Sequence, residues 1–124
     1  MNSVLGRDGM TYEHHMSKHN HHRAFADTVT DPEFADWALV AYRAAAYHLV
    51  SAQHVKHGLQ SLLPYVNGFN VDLMDSLQKI APEYTELENR SRMALYDWFS
   101  FGEGDMRWAK AQYKRIFDFI QLAA

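Results

Sequence analysis

The segment between Asp31 and Gly58 constrains the fold of this 124-residue chain more than any other. Asp31, Pro32 and Glu33 together form a helix start, because they supply a capping carboxylate, a proline at the first helical position and an early acidic side chain. Gly58 supplies a stop signal at the other end. Residues 32–57 are therefore predicted to form one long helix. Apolar residues occur nearly all round it, so this helix should lie at the centre of a bundle.

Helix signals recur along the rest of the chain, whereas no stretch alternates apolar and polar residues as a strand would. A loop of about ten residues is expected after Gly58, around Pro64 and the Asn67-Gly68 pair. The predicted fold is all-α, an up-and-down bundle of about five helices in a single domain over 1–124, with its core over about 11–122. The expected helices are 11–28, 32–57, 71–81, 82–99 and a C-terminal helix opened by a capping box from Ser100 to Glu103.

Helical spacing also predicts which side chains face the core. The first helix has a thin apolar face of Tyr12, Met16 and Phe25, so it should pack along one side only. In the later helices the predicted inward side chains are Leu73, Leu77, Ile80, Tyr84, Leu87, Ser91, Ala94 or Leu95, Trp98, Met106, Ala109, Tyr113, Ile116 and Ile120. The tryptophans at 37, 98 and 108 are expected to be core or interface residues.

Arg43 and His48 are polar residues within the apolar central helix. Five positions separate them, which is about 140° around a helix axis, so in an unbroken helix they cannot contact one ligand together within a subunit. His48 falls on a stripe of small residues with Ala41 and Ala44, and Arg43 falls on a more polar stripe. We interpret His48 either as a core or interface histidine with hydrogen-bonded ring nitrogens or as part of a functional site. The alanines would let a second subunit approach this helix closely.

Five of the eight histidines lie in the stretch YEHHMSKHNHH near the N-terminus. His15, His19 and His22 recur at i, i+4 and i+7, so they share one helix face. This spacing suits a Zn, Fe or Ni site if further ligands come from another helix, with Glu13, Asp36, His54 and His57 as candidates. The paired Glu-x-x-His motifs of di-iron bundles are absent. The alternative is a solvated, partly protonated face.

Composition narrows the classes of function. The net charge of −3 gives no general attraction to nucleic acid, so any such contact needs a local basic patch. The chain has no cysteine, which excludes disulfides, thiolate zinc sites and cysteine nucleophiles and is typical of a reducing compartment. The apolar run around Arg43 and His48 is too interrupted for a membrane span, and the N-terminus lacks the order of a signal peptide. We therefore expect a cytoplasmic protein that does not contact membranes.

Three stretches carry a resemblance to a known family: HHRAFADTVTDPEFADWALVAYRAAAYHLVSAQHVKHG, then YTELENRSRMALYDW, then FGEGDMRWAKAQYKRIFDFI. In their order and punctuation, over roughly 11–121, they resemble the small prokaryotic HEPN-domain proteins, which are nucleotide- and RNA-associated helical bundles. His48 stands where segments of the HLVEA type carry histidine in that family. Ser91, Arg92, Ala94 and Tyr96 match its later SRxARY-like stretch.

The resemblance implies a homodimer paired through the long helix. Active members of the family are metal-independent ribonucleases with an R-x(4–6)-H pair, in which histidine acts as acid and base and arginine holds the phosphate. Here Leu95 stands where the second arginine of the SRxARY stretch is expected, and no histidine follows His57. We therefore expect a dimer that binds nucleotide, RNA or a protein partner without full ribonuclease activity and without a cofactor. A toxin–antitoxin or defence system, with a nucleotidyltransferase or RNA as partner, is the setting that the family implies.

The resemblance also indicates a polar site at the dimer seam. His48, Arg92 and Tyr96 are its candidate residues, with Arg43 as a further ligand-binding candidate, and they could hold a phosphate or a partner's carboxylate. Arg92 and Tyr96 share a helix face at i and i+4. The alternative for these residues is an internal hydrogen-bonded network that orients two helices. Two other functions stay open: a metal-dependent bundle enzyme built on His15, His19 and His22, and a plain helical interaction module.

Overall fold

Four α-helices make up most of the chain that the structure describes. The computed structural model describes residues 9–60, 73–96 and 100–123. The helices are α1 (Tyr12–Thr28), α2 (Ala35–Lys56), α3 (Ala81–Tyr96) and α4 (Glu103–Ala123), and 3₁₀ helices at Pro32–Phe34 and Asp75–Ile80 precede α2 and α3. No strand occurs in these described ranges. The all-α class predicted from the sequence is therefore confirmed.

The predicted long helix is present, and α2 continues without a break past Arg43 and His48. Its start differs slightly from the prediction, because the carboxylate of Asp31 caps the 3₁₀ turn at Pro32 and α2 begins only at Ala35. At its end Gly58 adopts a φ of +78°. There the amide of Gly58 donates to the carbonyl of Val55 at 3.0 Å, and the amide of Leu59 donates to the carbonyl of His54 at 2.8 Å. This pair of bonds is the Schellman motif.

Helix α1 begins with a reciprocal cap. The Thr11 hydroxyl accepts the His14 amide at 3.2 Å, and the His14 ring accepts the Thr11 amide at 3.3 Å. The predicted apolar face was wrong in part: Phe25 is 49% exposed, and the fully buried side chains of α1 are His15, His19 and Ala26. Two histidines therefore supply the inner face that the sequence pattern assigned to aromatic residues.

The expected count of five helices is not confirmed, since residues 9–60, 73–96 and 100–123 contain four α-helices. The segment predicted as a helix over 71–81 is a 3₁₀ helix where it is described, and it runs directly into α3. Pro82 lies in the first turn of α3, where a missing amide proton costs no intrahelical hydrogen bond, so it does not separate two helices. Leu77 and Ile80 are buried as predicted. The loop expected around Pro64 and Asn67-Gly68, and Trp98, lie outside the described residues.

Helix α4 confirms its predicted inner face, since Met106, Ala109, Tyr113, Ile116 and Ile120 are all buried. Its N-terminal cap differs from the expected Ser100–Glu103 box. The amide of Gly102 donates to the Asp105 carboxylate at 2.8 Å, so the acidic partner of the cap lies two residues later than predicted. Acidic side chains in this first turn also interact favourably with the helix dipole.

The helices alternate in direction along the chain. Tyr42 contacts Asp27 and His48 contacts His15, so α1 and α2 are antiparallel. The amide of Met74, ahead of α3, donates to His54 near the end of α2, whereas Glu88 further along α3 meets Arg43, so α3 also runs against α2. The bundle is therefore up-and-down in its described part.

Helix α4 runs parallel to α2. Met106 packs with Ala38 near the start of α2, and Tyr113 contacts Tyr42 further along. Helix α2 thus packs against all three other helices, and residues on nearly all its sides are buried. The prediction that the long helix lies at the centre of the bundle is confirmed.

Candidate functional site

Three histidine rings meet where α1 crosses α2. Nδ1 of His15 lies 3.0 Å from Nδ1 of His48, and the two ring centroids are 5.3 Å apart. The ring of His22 stacks on His48, with centroids 5.6 Å apart and planes within 8° of parallel. His15 is fully buried, and His22 and His48 are half-buried. We call His15, His22 and His48 the imidazole cluster.

Small residues on α2 allow this contact. Ala38, Ala41, Ala45 and Ala52 are buried and share one stripe of α2. That stripe lies between Tyr42 and His48, both of which contact α1, so the alanines face α1 and let its backbone approach closely. On α1, positions 15 and 22 are two turns apart on the inner face, so both rings reach His48.

The contact between His15 and His48 requires complementary Nδ1 atoms. One Nδ1 must carry a proton and donate it, while the other must present its lone pair. Burial lowers the pKa of His22 below its ordinary value, and the nearby His21, Lys18 and Arg43 lower it further. The environment of the cluster therefore disfavours additional positive charge at His22.

Arg43 forms an ion pair with α3. It is buried, and its Nε and Nη2 donate to Oε1 of Glu88 at 3.2 and 3.0 Å. The Tyr84 hydroxyl donates to the same oxygen at 3.2 Å, and the Arg43 guanidinium also lies over the Tyr47 ring at 5.2 Å. Burial and the Glu88 carboxylate raise the pKa of Tyr84 well above its ordinary value. Arg43 thus bonds to α3 whereas His48 contacts α1, as their angular separation predicts, although Tyr47 adjoins both side chains.

The structure does not bring His48 together with Arg92 and Tyr96 within one chain. Glu88, Arg92 and Tyr96 recur at i, i+4 and i+8, so they share the side of α3 that meets Arg43. Because α3 is antiparallel to α2, Arg92 lies toward the start of α2, and about 13 Å along the axis separates it from the level of His48. Arg92 is half-buried, and Tyr96 is 74% exposed.

His19 faces α4 instead of the imidazole cluster. Its Nε2 lies 2.6 Å from the Tyr113 hydroxyl and its Nδ1 lies 3.0 Å from Oδ1 of Asn20, while its ring stacks on Phe117. Since Asn20 Oδ1 can only accept, Nδ1 donates and Nε2 accepts the Tyr113 proton. Burial lowers the pKa of His19 and raises that of Tyr113 to about 12.

The predicted metal set does not converge, since His15 and His22 adjoin His48 while both ring nitrogens of His19 are hydrogen-bonded elsewhere. Within residues 9–60, 73–96 and 100–123, no group of three or more histidine, aspartate or glutamate side chains is placed to hold a metal ion. The alternative of a solvated face was also wrong, because His15 and His19 are 0% and 1% exposed.

Two polar residues hold elements together in a way that the sequence did not predict, and one of them, His54, was predicted only as a candidate metal ligand. Glu88 was not predicted to be buried, although it lies one turn after Tyr84 on the inner face of α3. Buried His54 accepts the amide of Met74 with Nε2 at 3.1 Å and donates from Nδ1 to the carbonyl of Gln60 at 3.2 Å. These bonds connect the end of α2 to the chain on both sides of the segment 61–72.

One strip of α2 reaches the surface of the bundle. It consists of Trp37, Val40, Ala44 and His48, at i, i+3, i+7 and i+11, and we call it the α2 strip. Trp37 is 50% exposed, and the other three are half-buried. Beside Trp37 the α1–α2 turn forms an open cavity of about 430 Å³, lined by apolar and polar side chains that include Phe25, Val29 and Phe34.

Comparisons with models of protein families, with curated proteins and with solved structures find no match for this chain. Among the described helices, none is both long and apolar enough to cross a membrane.

Proposed function

We propose that this protein is a HEPN-like helical bundle that pairs with a second copy through the α2 strip and binds the phosphates of a nucleotide or RNA at the seam. Full ribonuclease activity is not part of the proposal. The family resemblance of the sequence supplies the setting, a toxin–antitoxin or defence system in the cytoplasm with a nucleotidyltransferase or an RNA as partner. The accessible side of the central helix is the observation that carries the proposal.

The α2 strip suits contact with another helix. Its spacing of three and four residues is that of helix–helix seams, and its middle residues, Val40 and Ala44, are small enough for close approach. Trp37 at one end offers a large half-exposed aromatic surface of the kind enriched at interfaces. A second α2 strip is the occupant that matches this surface along its whole length.

Antiparallel pairing of two strips would bring the separated site residues to the same level of the seam. Glu88 is level with Arg43, so Arg92 is level with about residue 39 of α2 and Tyr96 with about residue 35. A two-fold axis between Val40 and Ala44 sets His48 of one copy level with about residue 36 of the second copy. At that level of the seam, His48 and His22 would lie on the α1 side and the second copy's Arg92 and Tyr96 on the α3 side, so an RNA strand that crosses the seam would contact both groups.

Such a seam would bind phosphate but would cleave RNA poorly. A guanidinium and imidazoles bind oxyanions through charge-assisted hydrogen bonds. Arg43, the nearest arginine to His48 in sequence, is bound to Glu88 and does not supply the cation that an R-x(4–6)-H pair needs within one protomer. Binding without efficient cleavage is therefore the function that this arrangement supports.

Sedimentation equilibrium tests the pairing. Ala44→Glu places a carboxylate in the middle of the α2 strip and should convert a dimer to a monomer. Ala24→Glu is the matched control, because Ala24 is exposed on the outer side of α1, and it should leave the mass unchanged. A wild-type protein that stays monomeric at high concentration, or a dimer that survives Ala44→Glu, contradicts the seam.

Fluorescence anisotropy with labelled single-stranded RNA tests the ligand. Arg92→Ala and His48→Asn should each weaken binding at least tenfold in the dimer, while Arg115→Ala, at an exposed position of α4, should have little effect. If slow RNA cleavage is seen, Arg92→Ala should abolish it, and cleavage untouched by that change rules out this site. RNA binding by the monomeric Ala44→Glu variant with wild-type affinity also contradicts the composite site.

A further inference from the structure

Three large aromatic side chains reach the surface together at the turn between α1 and α2. Phe25 lies near the end of α1, Phe34 immediately precedes α2 and Trp37 lies in the first turn of α2, and each side chain is about half exposed. With Val29 and Asp31 they line the open cavity of about 430 Å³ at this turn, which we call the aromatic cavity. Within the described part of the chain, none of the three rings stacks on another aromatic ring or lies under a cation.

Hydrogen bonds hold the backbone that carries these rings. The Thr28 hydroxyl donates to the carbonyl of Phe25 at 2.6 Å, and the amide of Phe34 donates to the carbonyl of Asp31 at 2.9 Å. Val29 packs against the small buried cluster at the start of α2. The walls of the aromatic cavity are therefore formed before a ligand arrives, which lowers the entropic cost of binding.

The chain around the aromatic cavity is acidic. Residues 24–37 contain no lysine, arginine or histidine but four carboxylates, those of Asp27, Asp31, Glu33 and Asp36. Arg23 pairs with Asp27 at 3.9 Å, whereas the other three carboxylates form no ion pair with residues 9–60, 73–96 or 100–123. This end of the bundle therefore attracts cations and repels phosphates.

Asp31 adds a free carboxylate oxygen to the aromatic walls. Its Oδ1 accepts the amide of Glu33 at 3.0 Å, and its Oδ2 has no hydrogen-bond partner among the residues that the structure describes. Aromatic faces attract a guanidinium or an ammonium group, and a carboxylate forms charge-assisted hydrogen bonds with either. We infer that the aromatic cavity is a docking site for an arginine side chain of a basic protein partner.

Arginine matches both parts of the aromatic cavity. Its planar guanidinium stacks on an aromatic ring while its N–H groups donate to a carboxylate, and its aliphatic stem covers apolar surface. The cavity volume is in the range of pockets that hold a ligand larger than one side chain, so an apolar neighbour of the arginine would fill the space beside Val29 and Phe34. A protein segment supplies both kinds of side chain. Nucleic acid is excluded as the occupant, because the acidic segment repels its phosphates.

An NMR titration with two matched peptides tests the site. The probe is acetyl-Leu-Arg-Leu-amide, and the control peptide has citrulline in place of arginine, which keeps the shape and removes the charge. The arginine peptide should shift the indole N–H signal of Trp37, identified by its loss in Trp37→Phe, and should leave the signal of Trp108 unchanged. It should bind about fivefold more tightly than the citrulline peptide.

Asp31→Asn removes the charge and keeps the helix cap, because asparagine caps as well as aspartate. This variant should bind the arginine peptide about fivefold more weakly and the citrulline peptide as the wild type does. Asp118→Asn is the matched control, since it makes the same change of net charge at an exposed position toward the other end of α4, and it should leave both affinities unchanged. Phe25→Ala should weaken the binding of both peptides.

Each possible failure is specific. Equal affinities for the two peptides overturn the cation site, and so does an affinity for the arginine peptide that neither Asp31→Asn nor Phe25→Ala reduces. A titration in which the Trp37 signal does not move also overturns the proposal. The seam is tested separately, because Asp31 and Phe25 lie outside the α2 strip and Ala44 does not line the aromatic cavity.

Discussion

Arg43 and Glu88 form a buried ion pair in which two guanidinium nitrogens donate to one carboxylate oxygen. Both side chains are less than a tenth exposed, and the Tyr84 hydroxyl supplies a third donor to the same oxygen. The pair joins the middle of α2 to the middle of α3. Since each charge is removed from water, either partner alone would be strongly unfavourable in this position.

Glu88→Ala should therefore destabilise the protein by about 3–5 kcal/mol, because it leaves the Arg43 charge buried and unpaired. The double variant Arg43→Met, Glu88→Leu should recover most of that loss, since it removes both charges and keeps the volume. Urea unfolding measures both. The exposed pair of Arg107 and Glu103 is the control, and Glu103→Ala should cost less than about 1 kcal/mol. Equal losses for Glu88→Ala and Glu103→Ala would contradict this account.

His19 should make the stability depend on pH. Its pKa is lowered in the folded state, chiefly by burial, so below its ordinary value of 6.5 the unfolded chain binds a proton that the folded chain resists. The contribution of His19 to the free energy of unfolding should be complete above pH 6.5 and should decrease as the pH falls from 6.5 toward the lower folded pKa. His19→Gln keeps a polar group for Tyr113 but removes the titration, so its urea midpoints should vary less with pH. Parallel curves for the two proteins would show that His19 is not responsible.

His54 should matter more than its position near a helix end suggests. His54→Ala removes the acceptor of the Met74 amide and the donor to Gln60, and an unpaired amide there costs about 1–3 kcal/mol. Hydrogen exchange should also become faster at the Met74 amide. His57, three residues later and exposed, has one helix-end bond from its ring to the Gln53 carbonyl at 2.9 Å, so His57→Ala should cost no more than about 1 kcal/mol and leave the Met74 amide protected. If the two variants behave alike, the link across this end of α2 is not important.

Gly58 should be replaceable only with a loss. It adopts a φ of +78°, and an added Cβ would meet no atom within 4 Å, so Gly58→Ala tests backbone strain without a clash. The expected loss is about 1–2 kcal/mol in thermal or urea unfolding. Gly104→Ala also meets no neighbour, but it lies in the first turn of α4 without a positive φ. It should be neutral or stabilise by up to about 1 kcal/mol, and a loss of the same size at both positions would contradict this explanation.

The fold was largely predictable because its signals are local. Asp31 and Gly58 delimit the central helix, and the spacing of Met106, Tyr113 and Ile120 identifies the inner face of α4. Prediction failed where local patterns were ambiguous. The proline at position 82 fits a helix start as well as a break, and Phe25 is as apolar as any core residue although the geometry of α1 directs it outward.

The site was less predictable because its contacts are long-range. The spacing of His15, His19 and His22 shows that they share a face, but it does not show that His19 meets α4 while the other two meet His48. That division depends on how far α1 is shifted along α2, which no single stretch of sequence encodes. Likewise Glu88 could be identified as the partner of Arg43 only from the register of α3 against α2.

The alanines of α2 that face α1 are chemically inert, yet they set the distance at which the histidine rings meet. A larger side chain at Ala41 or Ala45 would push α1 away from α2 and separate the rings. These alanines, which have no functional group, are thus as necessary for the contact between His15 and His48 as the two imidazoles. Substitution of bulkier residues along that stripe would therefore remove the contact between His15 and His48 without changing any histidine.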